Sequence, residues 1–506
     1  MKKFYSWMTV MAVALSFGFA SCSDSDDEPE PEPVAAPELL SFEFKAADNA
    51  EVLSADYVGV ISAVDKTVKV TMPAFADKSS LVATFTVGEG NTVTVNGVTQ
   101  QSGVTANDFT APVDYIVSNS DGSQNIKFTV TVEKAADYVW SEVARFNAVV
   151  PRSGNAIMRI NAVDNTPYVA FVNKTTEKVA VLKYENGSFA NIGAVEGVSE
   201  KVTSGRMDFA ISNTGTPYFI YSDGSITAPV KSAASVMKFD GSVWSHVGQQ
   251  GIAGFVPSKV QIGAIGNDVI APMIVNGNNG SFQKREVYSS IFKGSNWETN
   301  SLSAAGVNNA NIECLTTTDN AAYLYTISAA TYKYSVSEYK NGVWTSLRNE
   351  YLEAGATQAP ILMNEAASIA ATNDGEVFLL TADDAETGNT KDMRFRILKY
   401  SPDTKDWTLL GGTTMTSIFA NDSHISAKIA VAPDGTPFFV YADYKNDKFV
   451  KVQYFDNETK QWSQPEAVSA EESESVNIAF CDNGEAYICY VGANDNIVML
   501  KYAAKK

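Results

Sequence analysis

The chain has 506 residues, 45% of them hydrophobic, a formal net charge of −20 and only two histidines. A field of that sign repels nucleic acid and anionic lipid, so neither is expected as a partner, and its plainest consequence is solubility. Two histidines in so long a chain all but exclude a histidine-based triad or a histidine-rich metal site, and no cofactor is expected.

Residues 1–21 read as a secretory signal: Lys2 and Lys3, the apolar run "WMTVMAVALSFGFA", too short to span a bilayer comfortably, then small residues before Cys22. "FASC" is a lipobox with Phe19 where leucine is usual, which implies cleavage before Cys22 and lipidation of its thiol. Residues 22–37 carry "SDSDDEPEPEPVAAP", acidic and proline-rich with almost nothing to bury, so they form an extended, solvated tether. The lipobox followed by "SDDE" resembles the export signal of gram-negative surface lipoproteins. That resemblance implies a lipid anchor as the only membrane attachment, in the outer membrane facing the exterior; a periplasm-facing lipoprotein is the alternative.

Residues 38–134 alternate apolar and polar in short runs, among them "LLSFEFKA", "KTVKVTMP", "LVATFTVG" and "NIKFTVTVEK", with turn residues between them at intervals near ten. This is the pattern of a small antiparallel sandwich. Its ending, "DFTAPVDYIVSNSDGSQNIKFTVTV", resembles the Ig-like modules that precede other domains in bacterial surface lipoproteins, and the resemblance implies a spacer.

From 136 to 506 one phrase recurs: "FDGSVWSHV" at 239, "FKGSNWETN" at 292, "YKNGVWTSL" at 339, "YSPDTKDWTLL" at 400 and "FDNETKQWSQP" at 455. Trp140, Phe189, Trp244, Trp297, Trp344, Trp407 and Trp462 fill one column of a repeat of roughly fifty residues. Each unit reads as four strands, as in "KIAVAP", "PFFVYAD", "FVKVQYFD" and "QWSQPEAV", which is the pattern of a β-propeller with seven blades. The last unit stops at Tyr502 without a fourth strand, whereas "YVWSEVARF" at 138 is a fourth strand without a unit, so joining them closes the ring. The whole chain therefore resembles gram-negative outer-membrane surface lipoproteins in which an Ig-like module precedes a β-propeller. The repeat lacks the serine and aspartate of the sialidase-like box and the paired glycines of kelch repeats, so neither family's catalytic residues transfer.

Aligning the units places Arg159, Asp208, Gln261, Glu313, Ser368, Lys428 and Asn477 at one position of the innermost strand, flanked by apolar residues. Alternation turns this polar set toward the central channel, with Arg159 expected to pair with Asp208 and the others to be hydrated. Connections between second and third strands, and between units, are long, and both sets emerge at one face, where binding is expected. Near these loops lie Asp223, Asp383, Arg394, Asp443 and Tyr444, with Phe255, Phe282, Tyr332, Tyr351 and Phe419 as further aromatics. Platforms of this kind suit sugar rings and also peptides.

Cys314, Cys481 and Cys489 sit in apolar runs and read as buried small hydrophobes, a Cys481–Cys489 bridge being the alternative. The expected function is non-catalytic binding of a glycan or protein at the cell surface. The alternatives are an assembly subunit of an outer-membrane complex and a carbohydrate-active hydrolase or lyase using Asp208 and Glu313 as acid and base. The oligomeric state is left open.

Overall fold

The computed structural model describes residues 36–504 except 51, 54, 74–75, 135–137, 148–150, 303–309, 329, 332, 352–366, 385–391, 413–417, 421–425 and 458; for 151–155, 311–313, 350–351, 383–384, 418–420, 493 and 504 it describes the backbone alone. Cys22 and His424 lie outside the described residues. The architecture is all-β, with helix confined to short 3-10 turns such as Ala46–Asp48, and no described helix is long and apolar enough to cross a membrane.

In the first unit, Leu39–Phe44 pairs with Tyr57–Val58 and Thr84–Val87. A six-stranded sheet packs against it, in the order Val60–Ser62, Thr67–Met72, Asn125–Lys134, Val113–Ser118, Thr92–Val95, Val98–Thr99. The two-residue period puts Phe42, Phe44, Val68, Val70, Tyr115, Val117, Phe128 and Val130 in one core. Phe42 meets Phe44 and Tyr115 edge-on, with centroids 5.5 and 5.3 Å apart. The expectation of a purely antiparallel sandwich fails at one ladder, because Asn125–Lys134 runs parallel to Thr67–Met72. The chain between these strands crosses to the other sheet and returns, the kind of long connection that parallel pairing requires.

From Tyr138 onward the strands fall into antiparallel meanders of four, two of which carry a fifth short strand: Gly263–Ile265 continues Pro257–Val260, and Ile418–Ala420 pairs with Asp392–Ser401. The first strands of successive groups are Pro151–Asn161, Val202–Ile211, Pro257–Val260, Ala310–Thr317, Ser368–Ala371, Ala427–Val431 and Glu466–Phe480. They neighbour one another in chain order, Pro257–Val260 reaching Ala310–Thr317 through its continuation Gly263–Ile265, and Glu466–Phe480 also lies against Pro151–Asn161. The last group is completed from the start of the unit: Tyr138–Phe146 pairs with Ile497–Ala504, Trp140 stands opposite Tyr502, and their rings are 5.1 Å apart. The two final groups are not separate. Glu466–Phe480 pairs with both Phe449–Asp456 and Ala486–Gly492, because it passes from one group to the next without an intervening loop.

The recurring phrase is a hairpin. In "YKNGVW", Asn341 (φ 53°) and Gly342 (φ 84°) are both left-handed, as the tightest two-residue turn requires. The tryptophan that follows reaches the preceding group: Trp244 Nε1 donates to Ile192 O at 3.0 Å, Trp297 Nε1 to Val247 O at 2.7 Å and Trp462 Nε1 to Leu410 O at 3.2 Å. Each of these rings thus fills the gap between outer sheet edges and satisfies a backbone acceptor there.

Candidate ligand-binding channel

The first strands surround a cavity of about 2070 Å³ lined by Arg159, Asp208, Gln261, Ser368, Lys428 and Asn477. Where it lines the cavity, each first strand is laddered only to the second strand of its own group, so its other edge presents N–H groups that need acceptors. Side chains of the polar column supply them from the group before. Asp208 Oδ2 accepts from Ile262 N at 2.9 Å, Gln261 Oε1 from Leu315 N at 2.9 Å, and Ser368 Oγ from Ile429 N at 3.2 Å. Asn477 joins the last group to the first, donating to Ala156 O at 2.7 Å and accepting from Met158 N at 3.4 Å. Gln261, Ser368 and Asn477 thus serve the neighbouring strand's unpaired edge.

The charged members behave differently. Arg159 Nη2 lies 3.6 Å from Asp208 Oδ1, and its Nη1 donates to Met158 O at 2.9 Å. Burial pushes the Asp208 carboxyl up, opposed by Arg159, by the N–H groups of Ile262 and Phe209, and by the charge of Lys428. Lys428 is half-buried in the cavity wall and makes no hydrogen bond or ion pair among the described residues. Glu313 occupies the matching position of Ala310–Thr317, but its side chain lies outside the described residues, so its separation from Asp208 is not defined.

Two further cations, aligned two residues before the polar column and expected on the channel side, had not been counted among the ligand-binding candidates. Arg206 and Lys259 also line the cavity, two residues before Asp208 and Gln261 on the same strands. The signal was present, since residues two apart on a strand share a face.

The loop candidates resolve into structure. Asp223 is fully buried; its Oδ2 accepts from Tyr221 Oη at 3.1 Å and Ser235 Oγ at 2.8 Å, and its Oδ1 from Ser225 N at 3.0 Å and Ser225 Oγ at 2.6 Å. Asp443, 4% exposed, accepts from Lys451 Nζ at 2.6 Å and Asn446 Nδ2 at 2.8 Å. Both stand at the end of a second strand, where Asn173 and Ser328, like Asp223, accept from backbone N–H groups of the turn that follows, whereas Asp443 takes a side-chain donor from its turn, Asn446. Short polar side chains at this position close the turn. Tyr444 is half-buried, donates to Ser473 O at 3.2 Å and packs beneath Lys448. Arg394 pairs across the ladder with Asp383, whose side chain lies outside the described residues. Phe255 is buried against Phe282 and Tyr288 and packs its own loop.

One end of the cavity is covered by the first unit. Val52, Asp77, Lys78 and Thr110 join its lining beside the turns that carry Asn165, Asp434 and Asp482, and Lys134 lies 3.6 Å from Asp434. Burial lowers the Lys78 ammonium. The long connections leave from the opposite end of the first strands. Among the described residues no cluster of His, Cys, Asp or Glu is arranged to hold a metal. Cys314, Cys481 and Cys489 form no disulfide among the described residues, and burial pushes Cys489 up to about 12.

No curated protein matches the chain. Among solved structures it is similar to a DUF4623 family protein from Bacteroides eggerthii, at 9% identity and TM-score 0.33, covering 93% of this chain and 99% of that one. It is also similar to a fungal alcohol oxidase in complex with copper, at 12% identity and TM-score 0.45, covering 72% and 76%. A third is the Penicillium chrysogenum alpha-L-arabinanase complexed with arabinobiose, at 9% identity and TM-score 0.38, covering 72% and 98%. At these scores the similarity says nothing of ligand or chemistry. A family model matches the first folded unit alone: residues 42–132 fit the one described as SGBP, N-terminal.

Proposed function

We propose that the protein is a lipid-anchored, cell-surface glycan-binding protein that captures its ligand without cleaving it. The observation that carries this reading is the match of residues 42–132 to the N-terminal domain of surface glycan-binding proteins. In this reading residues 1–21 are removed on export, Cys22 carries the lipid and 22–37 form the tether. An Ig-like sandwich over 38–134 then holds out a seven-bladed propeller over 136–506, closed by Tyr138–Phe146. The glycan enters the channel from the face of the long connections, because the first unit covers the other end. Orientation toward the cell exterior follows from the same family match and from the acidic run after Cys22.

The test is an oligosaccharide array probed with residues 36–506, followed by titration calorimetry on each hit. Retention of a glycan that survives unchanged is the expected result. Failure to retain any oligosaccharide, or turnover of the bound one into shorter products, overturns the reading.

A further inference from the structure

The cavity is electrically lopsided. In the two rungs of the first strands nearest the long connections, the sequence supplies four cations, Arg159, Arg206, Lys259 and Lys428, against two carboxylates, Asp208 and Glu313. This surplus of positive charge sits in a chain of net charge −20. At the covered end the lining turns acidic, with Asp319, Asp374, Asp434 and Asp482.

Two of these cations have no contact partner within the protein among the described residues, although the charge of Lys428 is felt by Asp208. Asp208 is engaged by Arg159 and by Ile262 N–H. Arg206 and Lys428 make no hydrogen bond or ion pair among the described residues, although both are half-buried. Burial lowers the Arg206 guanidinium, and no carboxylate offsets it. A half-buried guanidinium with nothing to bind is costly to the fold, and its planar fork matches a carboxylate or sulfate edge.

The backbone beneath Arg206 is also unusual. Pairing steps from Val202–Asp223 to Met207–Tyr221, so Val202–Ile211 bulges between these points. Within the bulge Ser204 (φ 56°) and Gly205 (φ 66°) are both left-handed. A non-glycine residue there is uncommon, and bulges of this kind re-aim the side chain that follows.

We infer that Arg206 and Lys428 make the channel a site for anions, and that the bound glycan carries an acidic sugar whose carboxylate or sulfate group these cations bind. This rests on the glycan-binding reading above and names the ligand class for the same channel. The overall negative charge does not oppose it. At physiological ionic strength the Debye length is about 8 Å, so inside the channel the local cations outweigh distant surface carboxylates. The array is the same electrostatic device as a charged cleft, which focuses its field on what enters.

The experiment uses residues 36–506 with three probe sets: galacturonate oligomers, sulfated chondroitin oligosaccharides, and neutral arabino- and xylo-oligosaccharides. The acidic probes are expected to bind more tightly, with affinity falling as salt rises, and the carboxylate and sulfate arms identify the preferred group. Arg206→Gln and Lys428→Gln should each weaken acidic-probe binding about tenfold or more, the loss expected of a charge-assisted hydrogen bond, with an unchanged melting temperature. Binding of neutral probes alone, unaffected by either variant, overturns this inference and leaves the glycan-binding reading standing. Acidic-probe binding undiminished in both variants overturns the subsite. Retention of no probe overturns both. Where a variant melts early, the salt dependence of the unaltered protein decides: affinity insensitive to salt rejects the inference.

Discussion

Asp208 and Asp223 lie on adjacent strands of one sheet and are 3% and 0% exposed, yet they do different work. All four hydrogen bonds of Asp223 named above come from its own sheet and the loop it closes. Asp208 binds the next sheet through Ile262 and faces channel cations on its other side. What separates them is the direction of the strand edge. An acid at the end of a second strand meets the turn it closes, whereas one on a first strand meets a foreign backbone and then the cavity. Burial alone does not distinguish a turn clamp from a channel wall; the identity of the donors does.

The comparison can be broken most forcefully at Asp223. Asp223→Ala leaves the buried hydroxyls of Tyr221 and Ser235 without this acceptor and should lower unfolding free energy by about 3–5 kcal/mol in urea titrations. Binding to any glycan hit should be unchanged in the protein that remains folded; loss of binding at full stability would return Asp223 to the ligand set. Asp443→Ala should cost less, about 2–3 kcal/mol, because Lys451 keeps Asp447 at 3.6 Å. Its effect should appear in the denaturation midpoint and not in affinity.

Asp208→Asn sharpens the other side. The amide retains an acceptor for Ile262 N–H, so the change at neutral pH should be within about 1 kcal/mol. The sign with pH is definite. The folded carboxyl is pushed above its unfolded value, so the folded state holds the proton more tightly, and its contribution is full below the unfolded pKa and lost as pH rises through the folded one. D208N lacks this loss, so its stability relative to the unaltered protein should improve between acidic and neutral pH. A flat difference would mean that Arg159 and Lys428 fully offset the burial of Asp208. The smallest stability effect is expected at Arg206→Gln, within about 0.5 kcal/mol, since no internal partner is lost. A large loss would show that Arg206 is structural, as Asp223 is.

Much of the scaffold was legible beforehand. The tryptophan column, the Asn341–Gly342 hairpin and the pairing of Trp140 with Tyr502 depend on short-range pattern and on counting units. The parallel ladder between Thr67–Met72 and Asn125–Lys134 was not legible, because alternation fixes which face a residue takes and not the direction of its neighbour. Among the site candidates, Arg159 and Asp208 were found and do meet, whereas Asp223 and Asp443 were chosen for standing near long loops. Arg206 was aligned to the channel side but not singled out, because the bulge beneath it is a feature of one strand that the repeat does not predict.

The sequence by itself determined the strand period, the turns, the recurring unit and the strand that completes the last group, because these are set by neighbours a few residues away or by repetition. Only the tertiary structure decided which polar side chains are consumed by the next sheet's unpaired N–H groups and which cations are left facing the cavity. That division is non-local: Asp208 meets Ile262, and Asn477 meets Ala156, only after the sheets have packed side by side.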